Sequence, residues 1–318
     1  MSTSTRAAIA SAVAAASILA ACASGDDPAP AAAPKGYISL DGGAVQIPKK
    51  NVGSIDLTRL PLGDGKYGSS PKRGYIYGCQ QHYMPVRDND TLAWVHGKTW
   101  NLKQKIYVQG SVSWPDASFS STFSGDVHRI VGNDLPTSGK TGVFPPQAGT
   151  EAATVRPDPN TIEANDYSFD LPAKPKVAAE PHCIYGEVGV LKDGTALFNA
   201  LDANGRDAVA QEVQDHCDGH PNMFGYHRHW IPNCISDPGT GQSNLIGYAF
   251  DGFGIYGHRG AHGKVLTNRD LDACHGTTSR VKWNGKWVRM YHYVATWEYP
   301  YTVGCFRGTP VVNGPAFG

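Results

Sequence analysis

Residues 217–234 read CDGHPNMFGYHRHWIPNC, with His216 just before them. Three histidines, His220, His227 and His229, lie between two cysteines. With Tyr226–Trp230 as a strand, His227 and His229 point to one face, because side chains alternate across a strand. Two imidazoles so placed offer two nitrogens to one metal ion. An isolated His-x-His is more often an exposed pair on a strand edge. Here the density of histidine and a near-repeat further on, Tyr291-His292-Tyr293-Val294, favour a metal site.

The chain has 318 residues, enough to bury a substantial core. Lys+Arg and Asp+Glu are both 28, a balance that speaks against nucleic acid and against a strongly charged partner. Glycine at 37 and proline at 22 are abundant and long helical patterns are scarce. This composition predicts a mainly β fold with short helices (α+β), loop-rich and stapled by disulfides, in a single domain.

The first residues are a targeting segment. Arg6 is followed by the apolar run Ala7–Ala21, too short and alanine-rich for a membrane span. Leu19-Ala20-Ala21-Cys22 resembles a bacterial lipobox, which implies a signal peptide over 1–21, cleavage before Cys22 and lipid on its sulfur. Ala23 rather than Asp follows, which by resemblance to Gram-negative lipoproteins implies an exported chain anchored at the outer membrane, facing the periplasm or the cell surface. Residues 22–35 are a Pro/Ala tether, and 36–318 form the folded part. Six further cysteines remain: Cys79, Cys183, Cys217, Cys234, Cys274 and Cys305. An even number in an exported chain points to disulfides, and sequence does not choose among the pairings. Cys217–Cys234 is the first choice because it would clamp the His-rich segment; Cys274–Cys305 and Cys79–Cys183 then follow by elimination.

Along the chain, residues 74–81 and 99–114 alternate like strands, 126–146 read as loop, and 160–171 as a strand with a turn. Residues 186–201 read as a hairpin about Asp193-Gly194 with a type I′ turn. Residues 206–216 are the best helix, capped by Asp207, which would put Glu212 and Asp215 on one face. Residues 245–257 are two short strands about Asp251-Gly252. Residues 267–273 are a one- or two-turn helix capped by Thr267 or Asn268, 281–288 a hairpin about Asn284-Gly285, and 291–306 a strand broken at Pro300.

Several stretches, ALDANGRDAVAQEVQDHCDGHP, GYHRHWIPNC, SNLIGYAFDGFGIYG, LDACHG and YHYVATWEYPYTVGCFRG, resemble in content and order the bacterial YHYH-domain proteins. NDLPTSGKTGVFP resembles the family's leading segment, so 120–310 is the best-matching part. The resemblance implies a histidine-based site without specifying a reaction. Tyr226, His227 and His229 match the motif, with Arg228 at its third position; Tyr291, His292 and Tyr293 match it, with Val294 in place of the last histidine.

Nine of the 12 histidines fall between His182 and His292, where chance would put roughly four. The expected metal ligands are His220, His227, His229 and His292, with His275 and Asp251 as further candidates. Zinc, copper or iron all suit imidazole. His258 and His262, in a glycine-rich loop, are expected to be exposed. Glu212 and Asp215 are the candidates for acid–base work near an ion. Neither His-Glu-x-x-His nor Gly-x-Ser-x-Gly occurs. Three functions stay open: a metal-binding lipoprotein, a metal-dependent hydrolase or oxidase outside the cytoplasm, and a structural or adhesion domain without metal. The one partner implied is the membrane, through the anchor; a small-molecule or protein partner is not legible.

Overall fold

The computed structural model describes residues 52–84, 92–231, 233–237, 239–312 and 314, with the backbone of Tyr37–Leu40 (β1) and Val45–Pro48 (β2). The leader, Cys22 and the tether lie outside the described residues. Short strands follow: Leu60–Pro61 (β3), Tyr67–Gly68 (β4), Ile76–Tyr77 (β5), Val95–His96 (β6) and Thr99–Trp100 (β7). Phe119–Ser124 (β8), Val127–Gly132 (β9) and Tyr167–Pro172 (β10) make a three-stranded antiparallel sheet, with the helix Glu151–Val155 (α1) before β10.

The remaining strands build one eight-stranded sheet. They are Glu187–Leu191 (β11), Ala196–Phe198 (β12), Gly219–Asn222 (β13), Gly225–Arg228 (β14), Leu245–Ala249 (β15), Gly254–Tyr256 (β16), Gly276–Trp283 (β17) and Lys286–Val294 (β18), with the helix Ala208–Gln211 (α2) between β12 and β13. Their order across the sheet is β13-β14-β12-β11-β15-β16-β18-β17, which reads as one four-strand pattern and its mirror. The expectation of a mainly β, disulfide-stapled, single-domain fold holds.

The three-stranded sheet packs onto the larger one through aromatic side chains. The Phe169 and Phe250 rings lie 4.9 Å apart, His128 and Tyr248 4.4 Å, and Phe123 and Trp283 5.5 Å, in tilted or edge-on arrangements. Along β9 exposed and buried residues alternate, sending His128 and Ile130 inward. Three disulfides, Cys79–Cys183, Cys217–Cys234 and Cys274–Cys305, tie the chain.

Several local expectations are corrected. Residues 126–146 contain β9. Strand structure over 99–114 stops after Trp100, where Asn101 accepts from the Lys103 amide and starts a 3-10 turn over Leu102–Gln104. The Asp193-Gly194 turn is not type I′, which needs positive φ at both central residues: Gly194 has φ +91°, but Asp193 is not among the residues with positive φ. Asn284 (φ 42°) and Gly285 (φ 76°) do make that turn. The strand after Tyr291 ends at Val294, before Pro300. The helix expected over 206–216 covers only α2. Asp207 caps it, its carboxylate also accepting from the Gly63 amide at 2.8 Å and the Tyr301 hydroxyl. At Glu212 the backbone turns extended (φ −104°, ψ 153°). The Val108 amide donates to the Gln214 carbonyl at 2.9 Å, holding the following residues in a bridge that a longer helix would break.

Candidate metal centre

β13 and β14 pair so that His220 stands opposite His227. His229 follows β14 by one residue and lies on the same face as His227. Ligand atoms of the three lie within 4.8 Å of one another, and all three side chains are buried. Because the helix ends early, Glu212 swings into this cluster rather than pairing with Asp215. Its Oε2 lies 3.0 Å from His220 Nε2 and 3.4 Å from His229 Nε2, and the two Nε2 atoms are 3.4 Å apart. Donors bound tetrahedrally at about 2.0–2.1 Å from an ion are held roughly 3.3 Å from each other. The observed triangle has that size.

The other ring nitrogens face outward to acceptors. His229 Nδ1 contacts the Asn199 carbonyl, His227 Nδ1 lies 3.3 Å from the Gly225 carbonyl, and His220 Nδ1 lies 3.7 Å from Asp158 Oδ2. Protons on those nitrogens leave each Nε2 with its lone pair free, the usual arrangement around a metal. Glu212 Oε2 is buried yet makes no well-directed hydrogen bond. A buried carboxylate oxygen crowded by two nitrogens fits a group that shares an ion with them, and in the absence of an ion it pairs with a protonated His220. Phe198 covers the cluster, its ring 4.1 Å from that of His227.

Without an ion, charge redistributes within this group. His227 falls well below the usual imidazole range, first through burial and then through repulsion from His220 and His229. Burial also lowers His229, to about 4. Burial would lower His220 as well, but the carboxylates of Glu212 and Asp158 outweigh it and hold the ring at about 9. Burial would raise Glu212, but the charge of His220 brings it down to about 2. A proton on His220 thus occupies the place of a cation.

Four other candidates lie elsewhere. His292 is on β18, and β12, β11, β15 and β16 separate β18 from β14, a spacing of about 24 Å. It cannot join His227; its ring packs on Tyr256. His275 is a left-handed turn residue (φ 70°) whose Nε2 lies 3.0 Å from the Thr296 hydroxyl. Asp251 accepts from the Tyr293 hydroxyl (2.5 Å) and the Arg307 and Gly308 amides, and is fully used. Asp215 accepts from the Tyr226 hydroxyl and the Gly142, Cys217 and Gly219 amides, so it organises a turn and touches no histidine of the cluster. His258 is half-buried against Trp297, while His262 is exposed as expected. His216 gathers with Cys217 and Cys234, but those sulfurs form a disulfide and offer no thiolate.

Asp158 is the site residue that reading the sequence missed; it sits in a stretch with no motif, and only the folded chain brings it to His220. On the opposite side of β14, Arg228 is fully buried, its Nη1 2.7 Å from Asp193 Oδ2 and its Nε donating to the Cys217 carbonyl. It secures the strand that carries His227.

Residues 168–267 match the family described as YHYH protein, in agreement with the resemblance in the sequence. The matched span contains Glu212 and the three histidines and ends before Tyr291. No curated protein and no solved structure matches the chain.

Proposed function

We propose that this YHYH chain is an extracytoplasmic metal-binding protein. It holds one divalent transition metal through His220, His227 and His229, with Glu212 as the fourth donor. The observation that carries the reading is the convergence of three imidazoles and a carboxylate at ligand-to-ligand spacing, with outward nitrogens directed at oxygen acceptors. Three nitrogens and one carboxylate oxygen suit zinc, copper or iron. Three disulfides suit an oxidising compartment, which supports export; the lipid anchor at Cys22 belongs to the same proposal.

The test is calorimetric titration of the metal-free protein with zinc, copper(II) and iron(II), for wild type, H227A/H229A and E212Q. The double variant loses binding. E212Q, which keeps the shape and removes the charge, weakens it at least tenfold, about 1.4 kcal/mol. Binding of equal strength in H227A/H229A contradicts the proposal.

One observation favours a second reading. The Glu212 side chain is 23% exposed while those of His227 and His229 are almost closed, so Glu212 is the most exposed member of the cluster, although its Oε2 is covered. Glu212 would then accept a proton from a substrate beside the ion, as an enzyme requires. In that case E212Q retains metal affinity and loses turnover.

A further inference from the structure

The two halves of the large sheet repeat each other in detail. In the first, the Leu191 amide donates to the Thr195 carbonyl and the Gly194 amide to the Leu191 carbonyl; in the second, Ala249 donates to Phe253 and Gly252 to Ala249, with distances of 2.8–3.0 Å throughout. Asp215 Oδ1 accepts from the amides of Cys217 (2.9 Å) and Gly219 (3.2 Å) and from the Tyr226 hydroxyl (2.9 Å). Asp272 Oδ1 accepts from the amides of Cys274 (2.9 Å) and Gly276 (3.0 Å) and from the Tyr291 hydroxyl (3.1 Å). Asp218 and His275 hold the same left-handed turn position (φ 62° and 70°). Arg228 reaches Asp193 as Tyr293 reaches Asp251. Phe198 covers His227 as Tyr256 covers His292. Each half carries one disulfide from the cysteine before its third strand to one beyond its fourth.

The halves meet on a two-fold axis. Val190 and Tyr248 stand at the same place in their halves, four residues before the turn glycines, and they pair with each other across β11 and β15. Both neighbouring glycines are required by the close approach: a β-carbon on Gly189 would lie 2.3 Å from the Tyr248 carbonyl oxygen, and one on Gly247 2.8 Å from that of Val190.

Superposing the halves by these contacts places the cluster residues in correspondence. His227 corresponds to His292, His220 to Thr277 (opposite His292 as His220 is opposite His227), and His229 to Val294. Three residues before the turn aspartates stand Glu212 in one half and Arg269 in the other.

We infer that the sheet is two copies of one metal-binding unit, and that the second is a metal centre whose ligands have been replaced, leaving only His292. This rests on the metal reading for the first half. It also separates scaffold from chemistry: the tyrosines of the motif, the turn aspartates, the glycines and the cysteines serve the fold in both halves, whereas His220, His229 and Glu212 are peculiar to the binding half.

Two full-length variants test it. H220T/H229V gives the first half the residues the second already accommodates. It is expected to fold, with a melting temperature within about 5 °C of metal-free wild type, and to bind no metal. T277H/V294H is expected to bind a second ion by mass spectrometry and calorimetry, lost again when H292A is added. Unfolding of H220T/H229V, or a T277H/V294H protein that fails to fold or keeps the wild-type stoichiometry, overturns the inference. If wild type binds no metal the binding reading falls, and with it the metal ancestry of the second half; the folding of H220T/H229V then still decides whether the halves are interchangeable.

Discussion

At the residue scale the decisive group is His220. In the metal-free protein it carries a proton up to about pH 9, so a cation entering at neutral pH must displace it. Metal uptake at pH 7 should release close to one proton, and apparent affinity should rise about tenfold per pH unit until roughly pH 9, then level. Calorimetry in two buffers of different ionisation enthalpy measures the release. The linkage to stability has the opposite sign. A raised histidine stabilises the metal-free fold fully below its unfolded value of 6.5, and that contribution is lost as pH rises through about 9. Glu212, lowered from 4.5 to about 2, contributes above pH 4.5 and loses its contribution as pH falls through about 2. Tyr226 has a different role: its hydroxyl serves Asp215. Tyr226→Phe should cost about 1–2 kcal/mol in denaturant unfolding and leave metal affinity unchanged. His227 and His229 were legible in the sequence because alternation along a strand puts them together. His292 falls outside the cluster because the repeated tetrapeptide marks the same position in a second copy, not a second contributor to one site.

At the element scale, what sequence could not show was where tertiary contacts interrupt local preference. Residues 206–216 favour a helix by composition, yet the bridge to Val108 and the turn built on Asp215 stop it after Gln211. That interruption brings Glu212 to the histidines. The hairpin about Asn284-Gly285 was readable because a two-residue turn of that type demands those residues. The strand Val127–Gly132 alternates buried and exposed residues, but its glycine- and proline-rich neighbours mask it in the sequence. The tightest approach of a glycine to backbone in the sheet is at β11 and β15. Gly189→Ala would drive a β-carbon into the Tyr248 carbonyl, and should destabilise by about 3 kcal/mol or more, seen as a lower denaturant midpoint with an unchanged slope.

At the scale of the whole molecule, the palindromic strand order places the histidine cluster at one end of the sheet and its His292 counterpart at the other, with the three-stranded sheet packed on Tyr248 and Phe250 near the centre and on Trp283 of the edge strand β17. Composition was enough to predict a β-rich, disulfide-stapled domain. The two-fold arrangement was not, because after the shared Asp-Gly and Asp-x-Cys-x-Gly spacings little residue identity remains between the halves. Cys79–Cys183 closes the longest loop, 104 residues. Replacing both cysteines by serine should cost about 4–5 kcal/mol on the chain-entropy account, a fall in melting temperature of roughly 10 °C for a chain of this size.

On the proposed function, three imidazoles and a carboxylate bind one ion. The most direct measurement is the metal content, by mass spectrometry, of protein exported to the periplasm so that its disulfides form, with H227A/H229A prepared alongside. One transition-metal ion per chain is expected in wild type and none in the variant, whose circular dichroism stays that of a folded β protein. Wild-type protein that contains no metal, and takes up none after exposure to zinc, copper and iron, would contradict that function.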